Sequence, residues 1–159
     1  MSNPIERIQV EHETIGHALK DKRLQVPVNQ RSYAWEEEHV KDLYQDLAGA
    51  ISKDPEYFLG SIVIIRTEDD KIEVNDGQQR LATTTILMAA IRDFFLSEDE
   101  ERPAKSVEDE FLMNAERRSQ ELIPHLRLNN EDHTYYFNRV FTKTKLRGEK
   151  GRQSRTGFP

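Results

Sequence analysis

The stretch that decides the fold is Val74-Asn75-Asp76-Gly77-Gln78-Gln79-Arg80-Leu81. Before it, Ile72 and Val74 alternate with polar residues, which is typical of a strand with one buried face. After it, apolar residues recur at helical spacing, namely Leu87, Met88, Ile91, Phe94 and Phe95. The sequence therefore predicts a strand, a tight turn around Gly77, and a long helix from Leu81.

This turn has the composition of an anion-binding site. The first backbone N–H groups of a helix have no partner within the helix, and Gly77 lets the backbone approach a ligand closely. Arg80 can bind a phosphate or carboxylate with two N–H groups, while Gln78 and Gln79 offer both donors and acceptors. A second interpretation fits equally well: Asp76 caps the helix, and Gln79 completes a capping-box-like arrangement that needs no ligand.

Three threonines, Thr83, Thr84 and Thr85, follow in the first part of the helix, although threonine is a weak helix former. Their hydroxyl groups could line the same pocket as the turn. They could equally well bond back to carbonyl groups of their own helix. The sequence leaves both interpretations open.

A second polar and aromatic block is Asn29-Gln30-Arg31-Ser32-Tyr33-Ala34-Trp35. An extended backbone would put Arg31, Tyr33 and Trp35 on one face. Such a face can stack a base and hold a phosphate. Alternatively, Arg31 can pack over Trp35 as a cation–π lid on the core, and this block by itself favours packing.

The rest of the chain predicts a mixed α/β (α+β) fold. Helices are expected at residues 14–20, at 36–51, from 106 to the proline at 124, and at 132–141, with extended segments at 24–28 and 125–128. An acidic loop is expected at 97–103. The apolar β-branched run Ile62-Val63-Ile64-Ile65 predicts a central strand covered on both faces. A turn at Asp69-Asp70 would pair this strand with the one at Ile72 in a hairpin.

The chain has 159 residues and a net charge of −6, which indicates one acidic domain, placed here at residues 1–141. Residues 142–159 predict a disordered basic tail, since they carry six basic residues against Glu149: Lys143, Lys145, Arg147, Lys150, Arg152 and Arg155. An acidic body with a basic tail is also a weak indication of a polyanion nearby.

Several classes of protein are excluded or disfavoured by the sequence. Cysteine is absent, so disulfides, thiolate metal sites and a cysteine nucleophile are excluded. The five histidines lack metal-binding spacing, and neither a P-loop nor a G-x-S-x-G motif is present. No run approaches the roughly 20 apolar residues of a membrane span, so a cytoplasmic location fits best.

Three blocks, in this order, resemble the N-terminal domain of GmrSD-type restriction endonucleases. They are Val26-Pro27-Val28-Asn29-Gln30-Arg31-Ser32-Tyr33-Ala34-Trp35, then Tyr57-Phe58-Leu59-Gly60-Ser61-Ile62-Val63, and then residues 74–81. The resemblance covers roughly residues 5 to 140. It implies a ParB/sulfiredoxin-like fold, with a small mixed sheet flanked by helices. It also implies a role in bacterial modification-dependent (type IV) restriction and phage defence.

The resemblance implies that residues 76–80 form a signature linked to nucleotide binding and to hydrolysis coupled to DNA cleavage. Gln30 and Arg31 belong to a second marked block. Ala82 stands where the family usually has threonine, a departure that could weaken hydrolysis. The long C-terminal part that often carries a His-Asn-His nuclease is missing from this sequence. DNA contact and cleavage are therefore expected to need that nuclease domain or a partner subunit.

The resulting hypothesis assigns roles to the residues of both blocks. Asp76, Gln78, Gln79 and Arg80 would act in hydrolysis, and Asp76 would also hold Mg²⁺. The nucleotide, ATP or GTP, would be bound by Gln30, Arg31, Tyr33, Trp35, Gly77, Thr83 and Thr84. Two other hypotheses compete with this one: a non-catalytic DNA-binding or regulatory module, and a fragment that needs its C-terminal nuclease domain.

Overall fold

The computed structural model describes residues 9–53, 57–116 and 119–142. The helices in these ranges are α1 (Ile15–Lys22), α2 (Glu37–Lys53), α3 (Gln78–Ser97), α4 (Glu101–Val107) and α5 (Asn130–Phe141). The strands are β1 (Leu24–Gln25), β2 (Val63–Arg66), β3 (Ile72–Asp76), β4 (Met113–Ala115), β5 (Leu122–Pro124) and β6 (Leu126–Arg127). Apart from Thr142, the expected basic tail lies outside the described residues. Within the described ranges, each helix is too short or too polar to span a membrane.

Four strands form a mixed sheet in the order β2-β3-β1-β6. β1 runs parallel to both β3 and β6, while β2 and β3 form an antiparallel hairpin. β4 and β5 form a separate antiparallel pair. The prediction of a mixed α/β fold with a small mixed sheet flanked by helices is thus confirmed. The ParB/sulfiredoxin-like assignment stays a prediction from the resemblance.

The core joins the parallel strands to α3. Leu24 of β1, Val74 of β3 and Leu126 of β6 are buried, and Leu81 of α3 packs in the same cluster. The carboxyl ends of parallel strands open on one edge of a sheet. The segment after β1, the turn after β3 and the start of α5 after β6 therefore meet at the same place.

The hairpin prediction is confirmed, but the prediction that β2 is a covered central strand was wrong. β2 is an edge strand, and the exposed fractions of Val63, Ile64 and Ile65 are 45%, 38% and 47%. An apolar β-branched run indicates that a segment favours a β-strand. Such a run does not indicate whether the strand lies at the centre or at the edge of a sheet, because the strand order depends on residues that are distant in sequence.

The long helix predicted from residue 106 was also wrong. α4 ends at Val107 and a π-helical turn, Glu108–Leu112, follows it. The chain then enters the β4–β5 pair, where Met113 lies opposite Pro124. Part of the expected acidic loop at 97–103 is taken up by α4. The helical spacing of apolar residues was misleading here, because pairing of β4 with β5 overrides local helix preference.

Sequence reasoning missed the fully buried Arg92 of α3, whose exposed fraction is 0%. Its Nε donates to Asp93 Oδ1 at 2.9 Å, and its Nη1 donates to the Val140 carbonyl at 2.6 Å. The Val140 carbonyl belongs to the last turn of α5, where carbonyl groups lack partners within the helix. Arg92 therefore ties the middle of α3 to the end of α5.

The substitution Arg92→Ala should lower the free energy of unfolding by about 3–5 kcal/mol, because it breaks a buried charged network. Arg102→Ala, at an exposed position of α4, is the control and should change stability by less than about 0.5 kcal/mol. Urea denaturation followed by circular dichroism measures both. Equal midpoints for the two variants would contradict the role given to Arg92.

Candidate functional site at the carboxyl edge of the parallel strands

The two blocks singled out in the sequence are brought together at this edge. The Gln30 side chain donates to the carbonyl and side-chain oxygens of Asn75 at 3.4 and 3.3 Å, and Asn129 Nδ2 donates to the Gln30 carbonyl at 3.2 Å. A small cleft lies between the three segments. It is lined by Val26, Arg31, Tyr33, Gln78, Gln79, Ala82, Leu128, Asn129 and Asp132.

α3 begins at Gln78, rather than at Leu81 as predicted, and no side chain of the described residues caps it. Gly77 precedes it with a positive φ of 87°. Asp76 is the last residue of β3 and is exposed, so the interpretation of Asp76 as the helix cap was wrong. The first hydrogen bond of the helix runs from Leu81 N to the Gly77 carbonyl at 3.0 Å. The N–H groups of residues 78–80 are therefore available to an anion.

Glycine is required at position 77 for two reasons. A positive φ is strained for any residue with a side chain. A Cβ atom at this position would also lie 3.1 Å from Ile62 Cγ1 and 3.2 Å from the Ser61 carbonyl oxygen. The segment before β2 thus passes directly beside the turn and supports it.

Arg80 lies against the same segment and does not extend into bulk solvent. Its Nη1 donates to the Ser61 carbonyl at 3.0 Å, and the guanidinium covers Gly60. Tyr57 is also near: its pKa is raised by burial and by a hydrogen bond to Asp46, while the positive charge of Arg80 acts in the opposite direction. The Ser61 carbonyl therefore fixes the Arg80 head beside the turn at Gly77.

The substitution Gly60→Ala should destabilise the protein by about 1–3 kcal/mol, because φ at this position is 110° and a Cβ would overlap the Arg80 guanidinium. The matched control is Gly49→Ala in α2, where a Cβ would meet nothing within 4 Å. This control should stabilise the protein by about 0.5–1 kcal/mol, as expected for glycine in a helix. Thermal unfolding distinguishes the two, and changes of the same sign would contradict the packing described for Arg80.

Gln79 is buried and faces the protein. Its Oε1 accepts hydrogen bonds from the backbone N–H groups of Ala34 at 2.8 Å and Trp35 at 3.3 Å. Its Nε2 donates to the Ser32 carbonyl at 3.5 Å. Both ends of this carboxamide are thus used on the segment after β1. By contrast, Gln78 lines the cleft, and its Oε1 has no partner among the described residues.

The threonines follow different patterns. Thr83 Oγ1 donates to the Gln79 carbonyl at 2.8 Å, so the Tyr33 hydroxyl, 2.8 Å away, is the donor to Thr83. Thr85 bonds in the same way to Leu81. Thr84 is 2% exposed and its hydroxyl has no partner among the described residues. Bonding back to the helix is therefore the interpretation that applies to Thr83 and Thr85.

The cation–π lid considered for Arg31 and Trp35 is not formed. Trp35 stacks on His39 instead, with ring centroids 6.0 Å apart and an interplanar angle of 21°. Arg31 is exposed, and no ion pair or hydrogen bond holds its guanidinium in the part of the chain that the structure describes. It reaches the cleft as a cation without a protein partner there.

Few side chains at this edge could act as ligands for a metal ion. The exposed carboxylate of Asp76 is adjacent to the turn, but the described ranges contain no group of three or more histidine or acidic side chains that could hold a metal. Mg²⁺ is usually bound by one or two carboxylates together with substrate phosphates and water. Asp76 therefore fits a magnesium ion that arrives with a phosphate ligand.

Several residues of this site were missed in the sequence. Tyr57, Ser61, Asn75 and Asp132 contact the two blocks. Tyr57, Ser61 and Asn75 stand in the blocks that carry the family resemblance, and Asp132 begins the predicted last helix, but none of the four was assigned a role at the site. Their contacts join segments that are far apart in sequence.

The family model of the GmrSD restriction endonuclease N-terminal domain matches residues 15–156. The chain belongs to this family. The match includes both blocks at the carboxyl edge and the supporting segment at Gly60 and Ser61. No curated protein matches the chain.

Proposed function

We propose that this GmrSD N-terminal domain binds a nucleoside triphosphate, ATP or GTP, at the start of α3 and hydrolyses it with Mg²⁺. The observation that carries the proposal is the uncapped first turn of α3, with Arg80 held beside it by the Ser61 carbonyl. Free N–H groups, the positive end of the helix dipole and a guanidinium together favour a polyanion.

The phosphates would be bound by this chain's backbone and two arginines. The N–H groups of residues 78–80 would donate to phosphate oxygens, and the positive φ of Gly77 turns the chain from β3 into this first helical turn. Arg80 uses one of its five N–H donors on Ser61, which leaves the others for phosphate. Arg31, exposed at the same edge, adds a second positive charge.

Hydrolysis would depend on Asp76 and Gln78. Asp76 is exposed next to Gly77 and would hold Mg²⁺, which neutralises phosphate charge when it is bound. Gln78 lines the cleft, and its Oε1, which is buried without a partner among the described residues, would orient a water molecule. Gln79 is assigned no part in the chemistry, because its carboxamide is bonded to the backbone at both ends.

Nucleotide turnover in this domain would serve DNA restriction in a bacterial phage-defence system. The family match supports a place in a restriction endonuclease. DNA cleavage and recognition of a DNA modification would come from a nuclease domain or subunit, and a cytoplasmic location follows from these substrates.

Isothermal titration calorimetry with Mg-ATP and Mg-GTP tests the site. Wild-type protein should bind at least one of them, and Arg80→Ala should weaken binding about 10- to 100-fold, since charged hydrogen bonds contribute about 1.5–3 kcal/mol. The matched control is Arg66→Ala, at the end of the hairpin away from Gly77 and paired with Asp70; it should leave affinity unchanged. Equal affinity for the wild type and folded Arg80→Ala would refute the proposal.

A further inference from the structure

The backbone before Arg31 is held in place by two other segments. The Gln30 N–H donates to the Pro27 carbonyl at 3.1 Å, and the Gln30 carbonyl accepts from Asn129 at 3.2 Å. The Gln30 side chain also bonds to Asn75 of β3. The chain is therefore fixed immediately before Arg31.

The backbone after Arg31 is held as well. Ser32 Oγ donates to Glu131 at 2.6 Å, and the Tyr33 N–H donates to Asp132 at 2.6 Å, so the first turn of α5 holds one side. The single carboxamide of Gln79 holds the other side through the Ser32 carbonyl and the Ala34 and Trp35 amides. Between Gln30 and Tyr33, Arg31 alone has a side chain without a hydrogen bond or ion pair within the described ranges.

From this arrangement we infer that Gln79 is a positioning residue, which fixes the backbone that carries Arg31 relative to the first turn of α3. The inference rests on the proposed nucleotide-binding function. Gln79 belongs to the helical turn whose N–H groups would bind phosphate. Its carboxamide therefore connects that turn to the backbone next to Arg31. Gln79 raises affinity without touching the ligand, because the backbone that carries Arg31 does not have to be ordered on binding.

Glutamine suits this role because the amide group at the end of its side chain has both a hydrogen-bond donor and an acceptor. The acceptor serves the Ala34 and Trp35 amides, and the donor serves the Ser32 carbonyl. Glutamate would lose the donor and bring a negative charge towards the phosphates. An aliphatic residue of the same size would lose both contacts while preserving most of the packing.

A double-mutant cycle tests the inference with Mg-ATP and Mg-GTP as probes. Arg31→Ala and Gln79→Met should each weaken binding about 10-fold, but the double variant should bind within about 3-fold of Gln79→Met, because residues that act together are not additive. The control background is Thr85→Val, which removes a buried hydroxyl of α3 that bonds to Leu81. In that background Arg31→Ala should lose the same factor as in the wild type.

Hydrogen exchange provides a second readout that needs no ligand. In Gln79→Met the Ala34 and Trp35 amides should exchange at least about 10-fold faster, while amides in the middle of α3 keep their protection. Additive affinity losses of about 100-fold, or unchanged exchange at these two amides, would overturn the inference. An absence of nucleotide binding by the wild type would instead overturn the proposed function, and the role of Gln79 in affinity with it.

Discussion

The parallel pairing of β1 with both β3 and β6 is the constraint on which the site depends. Parallel strands place the segments that follow them at one edge. Here those segments are the Arg31 block, the turn at Gly77 and the start of α5. Because all three leave the sheet together, residues from distant parts of the chain reach one cleft. An antiparallel arrangement of the same strands would have separated the Arg31 block from the turn at Gly77.

A second constraint comes from the two glycines with positive φ at this edge. Gly77 turns the chain from β3 into α3, and Gly60 leaves room for the Arg80 guanidinium. Arginine in the first turn of a helix opposes the helix dipole. That unfavourable placement is offset by the Ser61 carbonyl, which accepts from Arg80. Local rules are often broken in this way at functional sites, and a bound phosphate would relieve the conflict further.

Much of the fold was predictable where the signal was local. The alternation at Ile72 and Val74 and the helical spacing after Leu81 predicted a strand, a turn and a helix correctly. Errors arose where distant pairing decided the outcome: β2 became an edge strand, and the predicted helix at 106 gave way to β4 and β5. The pattern of apolar residues could not show which other strands or helices would pack beside each segment.

The site was predictable only in part, for a similar reason. Residue types and spacing identified the turn at residues 76–80 and the block containing Arg31. They could not show that Asp76 ends a strand instead of capping α3, since the positive φ of Gly77 makes the turn. Nor could they show that Gln79 bonds to the backbone of Ala34 and Trp35, because those contacts join segments that are distant in sequence.

The proposed function rests on phosphate binding to the free N–H groups at the start of α3. Amide ¹H–¹⁵N correlation spectra recorded during titration with Mg-ATP and Mg-GTP test it most directly. The amides of Gln78, Gln79 and Arg80 are expected to show the largest shifts, with downfield proton changes typical of bonds to phosphate. Saturable nucleotide binding that leaves these three amides unmoved, with the largest shifts elsewhere in the domain, would contradict it.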